Sequence, residues 1–159
     1  DLHLTCIDPW KAEAYDEGEQ PESRENQNFF DKRYQQTVER LTPYGVNNQV
    51  TIYREESMNA LKYIPDNSLD YIFIDGDHSY ESVKQDLYNY YSKIKTNGIF
   101  AGHDYGWGEG LPVQRALLEF CNEMNIPINK LSIFNEGTKG KIRLEIIADS
   151  SVFVPWEDE

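Results

Sequence analysis

The run Leu69-Asp70-Tyr71-Ile72-Phe73-Ile74, stopped abruptly by Asp75-Gly76-Asp77-His78, constrains the fold of this chain more than any other stretch. A nearly continuous apolar segment of this length is the pattern of a strand buried on both faces, as in a parallel sheet covered by helices. Beyond it Val83, Leu87, Tyr90 or Tyr91, and Ile94 fall at helical spacing. Asp77 or Ser79 is available to cap the start of that helix, and Lys95-Thr96-Asn97-Gly98 to close it. Ile99-Phe100-Ala101 then gives a short strand running into Gly102-His103-Asp104-Tyr105.

The same alternation extends to both sides. Leu2 to Ile7 reads as a short buried strand stopped by Asp8-Pro9-Trp10. Phe30, Tyr34, Val38 and Leu41 mark a helix that Pro43-Tyr44-Gly45 ends. Gln49 to Tyr53 is β-prone, and Glu55-Glu56-Ser57 opens a short helix, Met58 to Tyr63, closed by Ile64-Pro65-Asp66-Asn67. Pro112 suits the first position of a helix whose apolar stripe is Val113, Ala116, Leu117, Phe120, Cys121 and Met124. Lys130 to Phe134 and Ile142 to Ala148 read as an antiparallel hairpin joined through residues 136–140.

Strands alternating with helices and followed by a hairpin predict an α/β fold: a mostly parallel sheet, helices on both faces, and an antiparallel C-terminal hairpin. Residues 1–159 are expected to form a single domain. The polar stretch 11–27, with Gly18 and Pro21, and the glycine-rich loop 106–110 are expected to be loops that serve as a lid.

A formal net charge of −13, from 28 acidic and 15 basic residues, argues against a bare phosphate backbone as partner. The densest basic group, Lys139 to Arg143, falls in the hairpin turn. No apolar run approaches the roughly 20 residues of a membrane span, and Asp1-Leu2-His3-Leu4 lacks the form of a signal peptide. The expectation is a soluble, cytoplasmic protein with neither nucleic acid nor membrane as partner; oligomeric state is not legible. Cys6 and Cys121 have no partner at metal-ligand spacing and read as buried thiols.

Ligands of open α/β sheets bind at the carboxyl ends of the strands. Asp8, Glu55-Glu56-Ser57, Asp75-Gly76-Asp77-His78 and Gly102-His103-Asp104-Tyr105 all fall there. By spacing alone Asp8 also suits the start of an Asp-Pro turn, Glu56 and Ser57 the first turn of a helix, Asp77 a cap, and His78 a surface imidazole. Asp75 and Asp104 would stand on adjacent strands about 5 Å apart, close enough to share a cation.

The run Ser68 to Glu81, followed by Asn97-Gly98-Ile99-Phe100-Ala101-Gly102-His103-Asp104-Tyr105, closely resembles a family of class I S-adenosylmethionine-dependent methyltransferases, the small enzymes related to macrocin O-methyltransferase. The resemblance extends from Leu4 to about Ala148 and includes Asp8-Pro9-Trp10 and the helix opened by Pro112-Val113-Gln114-Arg115-Ala116. It implies a Rossmann-like fold and methyl transfer from S-adenosylmethionine to an oxygen or nitrogen of a small-molecule acceptor. The family's first strand and glycine-rich loop are not present in this chain, which starts at the family's second strand; a segment upstream is expected to carry them.

The resemblance also implies roles. Asp8, Pro9, Trp10, Glu56, Ser57 and Asp75 become cofactor-binding residues, Asp8 at the ribose and Glu56 or Ser57 at the adenine amino group. His78 becomes the general base, with Asp75 beside it. Asp75, His103 and Asp104 become ligands of a divalent cation, Mg²⁺ or Mn²⁺. Relatives use an acidic pair where this chain has His103-Asp104, and imidazole suits Mn²⁺, Fe²⁺ or Zn²⁺ better than Mg²⁺; His103 serves equally as a substrate contact. Two other readings stand beside this one: a degenerate, non-catalytic module on the same fold, and a nicotinamide-dependent oxidoreductase, which needs its own glycine fingerprint.

Overall fold

The computed structural model describes residues 2–12, 27–45, 48–106, 108–127, 131–135 and 142–147. It forms two compact units, Asp1–Lys62 and Tyr63–Glu159. Most of the polar stretch 11–27, the loop residue Trp107 and the hairpin connection 136–140 lie outside the described residues.

In the first unit, β1 (Leu4–Ile7) runs parallel to β2 (Val50–Tyr53), in a register from Leu4↔Val50 to Ile7↔Tyr53. Between them in sequence lies α1 (Gln27–Leu41), stopped by a 3-10 turn at Thr42–Tyr44. Gly45 ends that turn at φ 81°, a left-handed conformation in which its N–H reaches the Thr42 carbonyl. After β2 comes the four-residue α2 (Ser57–Ala60), continued as a 3-10 turn over Leu61–Tyr63, where the sequence had suggested one helix from Met58. Trp10, Phe30, Val50 and Ala60 are buried in this unit. The Trp10 ring packs edge-on against Tyr34, with centroids 5.1 Å apart.

The second unit contains β3 (Leu69–Ile74), α3 (Tyr80–Tyr91), β4 (Ile94–Gly102), α4 (Pro112–Glu123), β5 (Leu131–Asn135) and β6 (Ile142–Ile147). Its sheet order is β3-β4-β6-β5, with β3 parallel to β4 and the remaining pairs antiparallel. The predicted hairpin is therefore β5–β6, and β6 attaches it to β4. The apolar stripe of α4 buries Val113, Ala116, Leu117, Phe120 and Cys121, while that of α3 buries Val83, Leu87 and Tyr90. Phe120 is fully enclosed, with the Tyr88 and Tyr91 rings edge-on at 5.0 and 5.2 Å. No helix among the described residues is long and apolar enough to cross a membrane.

The strand read as buried from Leu2 to Ile7 begins at Leu4 and is largely uncovered, with Leu2 84% and Leu4 43% exposed, and Cys6 is half-buried where Cys121 is buried. Two further expectations need correcting. The β3 run is a parallel strand, but within this unit it is not buried on both faces: Ile72 is buried whereas Tyr71 and Phe73 are each 42% exposed. Side chains alternate along a strand, so Tyr71 and Phe73 lie on the face opposite Ile72, where the two rings stack at 6.5 Å. Second, Ile94 is not the last residue of the helical stripe, and Lys95-Thr96-Asn97-Gly98 does not close the helix. The helix ends at Tyr91, Ile94 opens β4, and the tetrapeptide is an irregularity within β4, between the pairs Leu69↔Ile94 and Tyr71↔Ile99. Asn97 takes the left-handed conformation there, at φ 64°.

Candidate functional site

The parallel pair β3–β4 brings two polar strand ends side by side. Ile74 is in register with Gly102, and the His103 N–H donates to the Ile74 carbonyl at 3.0 Å, so Asp75 and His103 leave neighbouring strands together. The loop from Asp75 is then fastened by Asp77. Its carboxylate accepts from the Ser79 N–H at 3.0 Å, the Ser79 hydroxyl at 2.9 Å and the Ser82 hydroxyl at 2.7 Å. Ser79 itself is the N-cap of α3 and accepts from the Ser82 N–H. Partial burial works to raise the Asp77 carboxyl, but these hydrogen bonds outweigh it and leave the group below the usual carboxylate range.

His78, in this braced loop, meets the end of β4. Its Nε2 stands 2.9 Å from Asp104 Oδ2 and 3.8 Å from Asp75 Oδ1. His103 joins them, with Nδ1 3.0 Å from Asp104 Oδ2 and 3.5 Å from Asp75 Oδ1. Asp104 is the hub: its side chain is 5% exposed, against 48% for Asp75. Its backbone is left-handed at φ 55°, a conformation that Asp tolerates better than most residues and that tends to occur at functional sites. One of its oxygens, Oδ1, is buried with no hydrogen-bond partner among the described residues. Asp75, His78 and His103 line a pocket shared with the apolar side chains of Leu87, Phe100 and Leu117. Such low-polarity walls strengthen the interactions among charges beside them.

Of the predicted metal ligands, Asp75 and Asp104 come together with His78: one donor atom from each lies within 4.8 Å of the other two. His103 stands at the edge of this trio as the hydrogen-bond partner of Asp104. The hub position of Asp104 was not foreseen. Its one sequence signal is an Asp, tolerant of left-handed backbone, two residues after a strand end.

In the first unit, Asp8 and Glu56-Ser57 follow the carboxyl ends of the paired strands β1 and β2. Asp8 Oδ1 accepts the Trp10 N–H at 2.6 Å, so the carboxylate also builds the turn through Pro9. The Trp10 indole is packed against Tyr34, and the Trp10 carbonyl accepts from Gln27 at 2.9 Å and Arg54 at 3.1 Å. Sequence reasoning missed this brace, for which the sequence carries no signal. Glu56 holds the N-cap position of α2 and its carbonyl receives the Asn59 and Ala60 N–H groups, but its side chain makes no capping bond.

Comparison with known proteins agrees with this architecture. The O-methyltransferase NovP superposes with a TM-score of 0.63 at 17% identity, over 93% of this chain and 61% of its own. Cofactor-bound Rv0187 from MTB gives 0.53 at 11%, over 93% of this chain and 62% of its own. SMU.1697c of Streptococcus mutans, solved in complex with SAH, gives 0.53 at 11%, over 91% and 89%. At these identities the likeness shows the fold, which is Rossmann-like α/β. The chain spans about three fifths of the length of NovP and of Rv0187. No curated protein sequence matches it. A family model described as a methyltransferase domain matches residues 1–105, and the chain belongs to that family of methyltransferase domains.

Proposed function

We propose that this domain serves methyl transfer from S-adenosylmethionine to an oxygen or nitrogen of a small-molecule acceptor. The observation that carries the reading is the convergence of Asp75, His78, His103 and the buried Asp104 at the carboxyl ends of β3 and β4. When bound, S-adenosylmethionine supplies an electrophilic methyl group on a sulfonium. The acceptor's nucleophilic atom bonds to that methyl as the carbon–sulfur bond breaks, leaving neutral S-adenosylhomocysteine, and the acceptor's proton must go to the protein or to water.

In this reading Asp8 accepts from the ribose hydroxyls and Glu56 or Ser57 engages the adenine amino group, while Pro9 and Trp10 shape the turn beside them. Asp75 and His78 handle the acceptor's proton. They are the two more exposed members of the cluster, at 48% and 29%. An imidazole with an ordinary pKa of about 6.5 takes a proton near pH 7 where a free carboxylate rarely does. The cluster's donor set also fits a divalent ion: two carboxylates and an imidazole within reach of one another, one carboxylate oxygen being buried with no hydrogen-bond partner among the described residues. That NovP is an O-methyltransferase supports oxygen as the acceptor atom.

The test is calorimetric titration of the full-length protein with S-adenosylmethionine, followed by an assay of S-adenosylhomocysteine release over a panel of small hydroxyl and amine acceptors. Binding together with acceptor-dependent release supports the reading. Absence of binding overturns it in favour of a non-catalytic module.

A further inference from the structure

We propose that the pocket beside Asp75, His78 and His103 selects the methyl acceptor by a compact alkyl group, isopropyl-sized at most, carried next to the carbon that bears the nucleophilic atom. This rests on the methyl-transfer reading and goes further by naming the acceptor class: aliphatic alcohols or amines with such a group beside the reacting oxygen or nitrogen.

The walls are the first argument. α3 supplies Val83 and Leu87, β4 supplies Phe100, and α4 supplies Val113 and Leu117. All five are buried, between 1% and 9% exposed. None has a hydrogen-bonding side chain, so a water seated among them lacks the polar partners that hold buried water. An alkyl group seated there gives up no hydrogen bond and is favoured for the apolar surface it removes from solvent. Continuity is the second argument. Asp75, His78 and His103 line the same pocket, and Asp75 and His78 are partly exposed. The pocket thus runs from an apolar floor to an ionisable mouth that solvent reaches. A molecule seated in it turns its alkyl end inward and its oxygen or nitrogen toward His78.

The walls are also held by contacts within the fold. Gln114 Nε2 donates to the Tyr105 hydroxyl at 3.0 Å, fixing the Tyr105 ring at the edge of the pocket. Tyr91 stands edge-on to Phe100, with centroids 6.1 Å apart. Asp77, also in the lining, is bonded to Ser79 and Ser82. A preformed wall discriminates by size, because side chains must leave their preferred rotamers to admit a larger group. The pocket's volume, about 30 Å³, has room for about two or three groups the size of a water. That sets the limit near isopropyl.

The experiment uses full-length protein, with and without S-adenosylhomocysteine. Methyl NMR follows titrations with 2-methylpropan-1-ol, the bulkier 2,2-dimethylpropan-1-ol, and ethane-1,2-diol, which keeps the hydroxyl but lacks the alkyl group. 2-Methylpropan-1-ol is expected to bind about tenfold or more tightly than the diol, since each buried CH₂ is worth about fourfold. It is also expected to move the methyl signals of Val83, Leu87, Val113 and Leu117 together with the ring signals of His78. Val83→Leu narrows the pocket and is expected to weaken 2-methylpropan-1-ol severalfold. Leu117→Val widens it and is expected to move the preference toward 2,2-dimethylpropan-1-ol. If one wall variant fails to fold, the other still reads the size dependence. Cys121→Ala, which removes buried volume from α4 outside the pocket wall, is expected to leave the preference unchanged. Equal affinity for the diol and 2-methylpropan-1-ol, shifts that miss His78 or the pocket methyls, an unchanged preference in Leu117→Val, or no binding of either alcohol overturns the proposal. None of these results touches the methyl-transfer reading, which fails only if the full-length protein does not bind S-adenosylmethionine.

Discussion

His78 Nε2 stands 2.9 Å from Oδ2 of the buried Asp104, so a carboxylate at the end of β4 reaches across to the loop after β3. The strand register brings these segments side by side, but the contact also needs Asp104 to turn left-handed at φ 55°. Fold and site are thus coupled through one residue: its backbone conformation decides whether its side chain reaches His78 and His103.

That coupling separates two substitutions at Asp104. Asparagine keeps a similar shape, an acceptor oxygen and tolerance of left-handed backbone. Alanine loses the acceptor and adds the roughly 1–2 kcal/mol that ordinary L residues incur in that conformation. Asp104→Ala is therefore expected to be less stable than Asp104→Asn by about that amount in urea unfolding, while methyl transfer falls about 10²-fold or more in both. Equal stabilities would remove the backbone argument.

Asp8 builds the turn to Trp10 and, in the proposed reading, also accepts from the ribose, and substitution can separate the two. Its Oδ1 accepts the Trp10 N–H at 2.6 Å, a bond that Asp8→Asn can keep and Asp8→Ala cannot. Loss of a charged acceptor for the ribose is worth about 1.5–3 kcal/mol, or roughly 10- to 150-fold in affinity. Asp8→Ala should weaken S-adenosylmethionine binding to that degree, and Asp8→Asn should restore the fold but only part of the affinity. Calorimetry showing wild-type affinity in the alanine variant would take Asp8 out of the site. Full recovery in Asp8→Asn would assign the effect to the turn.

Some of this architecture was legible in the sequence and some was not, for physical reasons. The α4 stripe from Val113 to Cys121 could be read because an amphipathic helix writes its burial into its period. The apolar run Leu69–Ile74 announced a strand but not which face would be covered, since the large rings of Tyr71 and Phe73 suit a core as Ile72 does yet are half-exposed within their unit. Ile94 is buried whether it ends a helix or opens a strand, so its apolarity could not place that boundary. At the site, the gathering of polar residues at strand ends followed from α/β topology. The His78–Asp104 contact depends on a backbone conformation that residue types permit but do not dictate.

Asp77 gives the site loop a pH dependence of definite sign. Hydrogen bonds from the Ser79 N–H and the Ser82 and Ser79 hydroxyls outweigh the opposing effect of burial and hold its folded pKa below the unfolded value. Its contribution is therefore fully present above the unfolded carboxylate pKa of about 3.9 and is lost as pH falls through the lower folded value. Because the group is substantially exposed, the contribution should stay below about 1 kcal/mol. Asp77→Asn is expected to melt lower than wild type near pH 7 and to lose less on acidification below about pH 4. Parallel acid limbs for the two proteins would show that Asp77 does not brace the loop.

Gly102 sets the separation of the two strand ends that carry the cluster. A Cβ added there would meet the Ile74 carbonyl oxygen at 3.2 Å and Ile74 Cβ at 3.9 Å. The oxygen belongs to the backbone and already accepts the His103 N–H at 3.0 Å, so it cannot swing aside as a flexible side chain would. Gly102→Ala must therefore open the β3–β4 ladder by a few tenths of an ångström at its last rung, moving Asp75 relative to His103 and Asp104. Overpacking of this size costs about 1 kcal/mol, but a reaction centre must be held to within about 0.5 Å. The variant is expected to bind S-adenosylmethionine normally and to turn over about tenfold more slowly. Gly76→Ala is the contrasting case for stability: its Cβ would make only an ordinary contact with Asp86, at 3.7 Å, and it should unfold close to wild type. Wild-type turnover in Gly102→Ala would mean that the spacing of Asp75 from His103 and Asp104 is not what the reaction depends on.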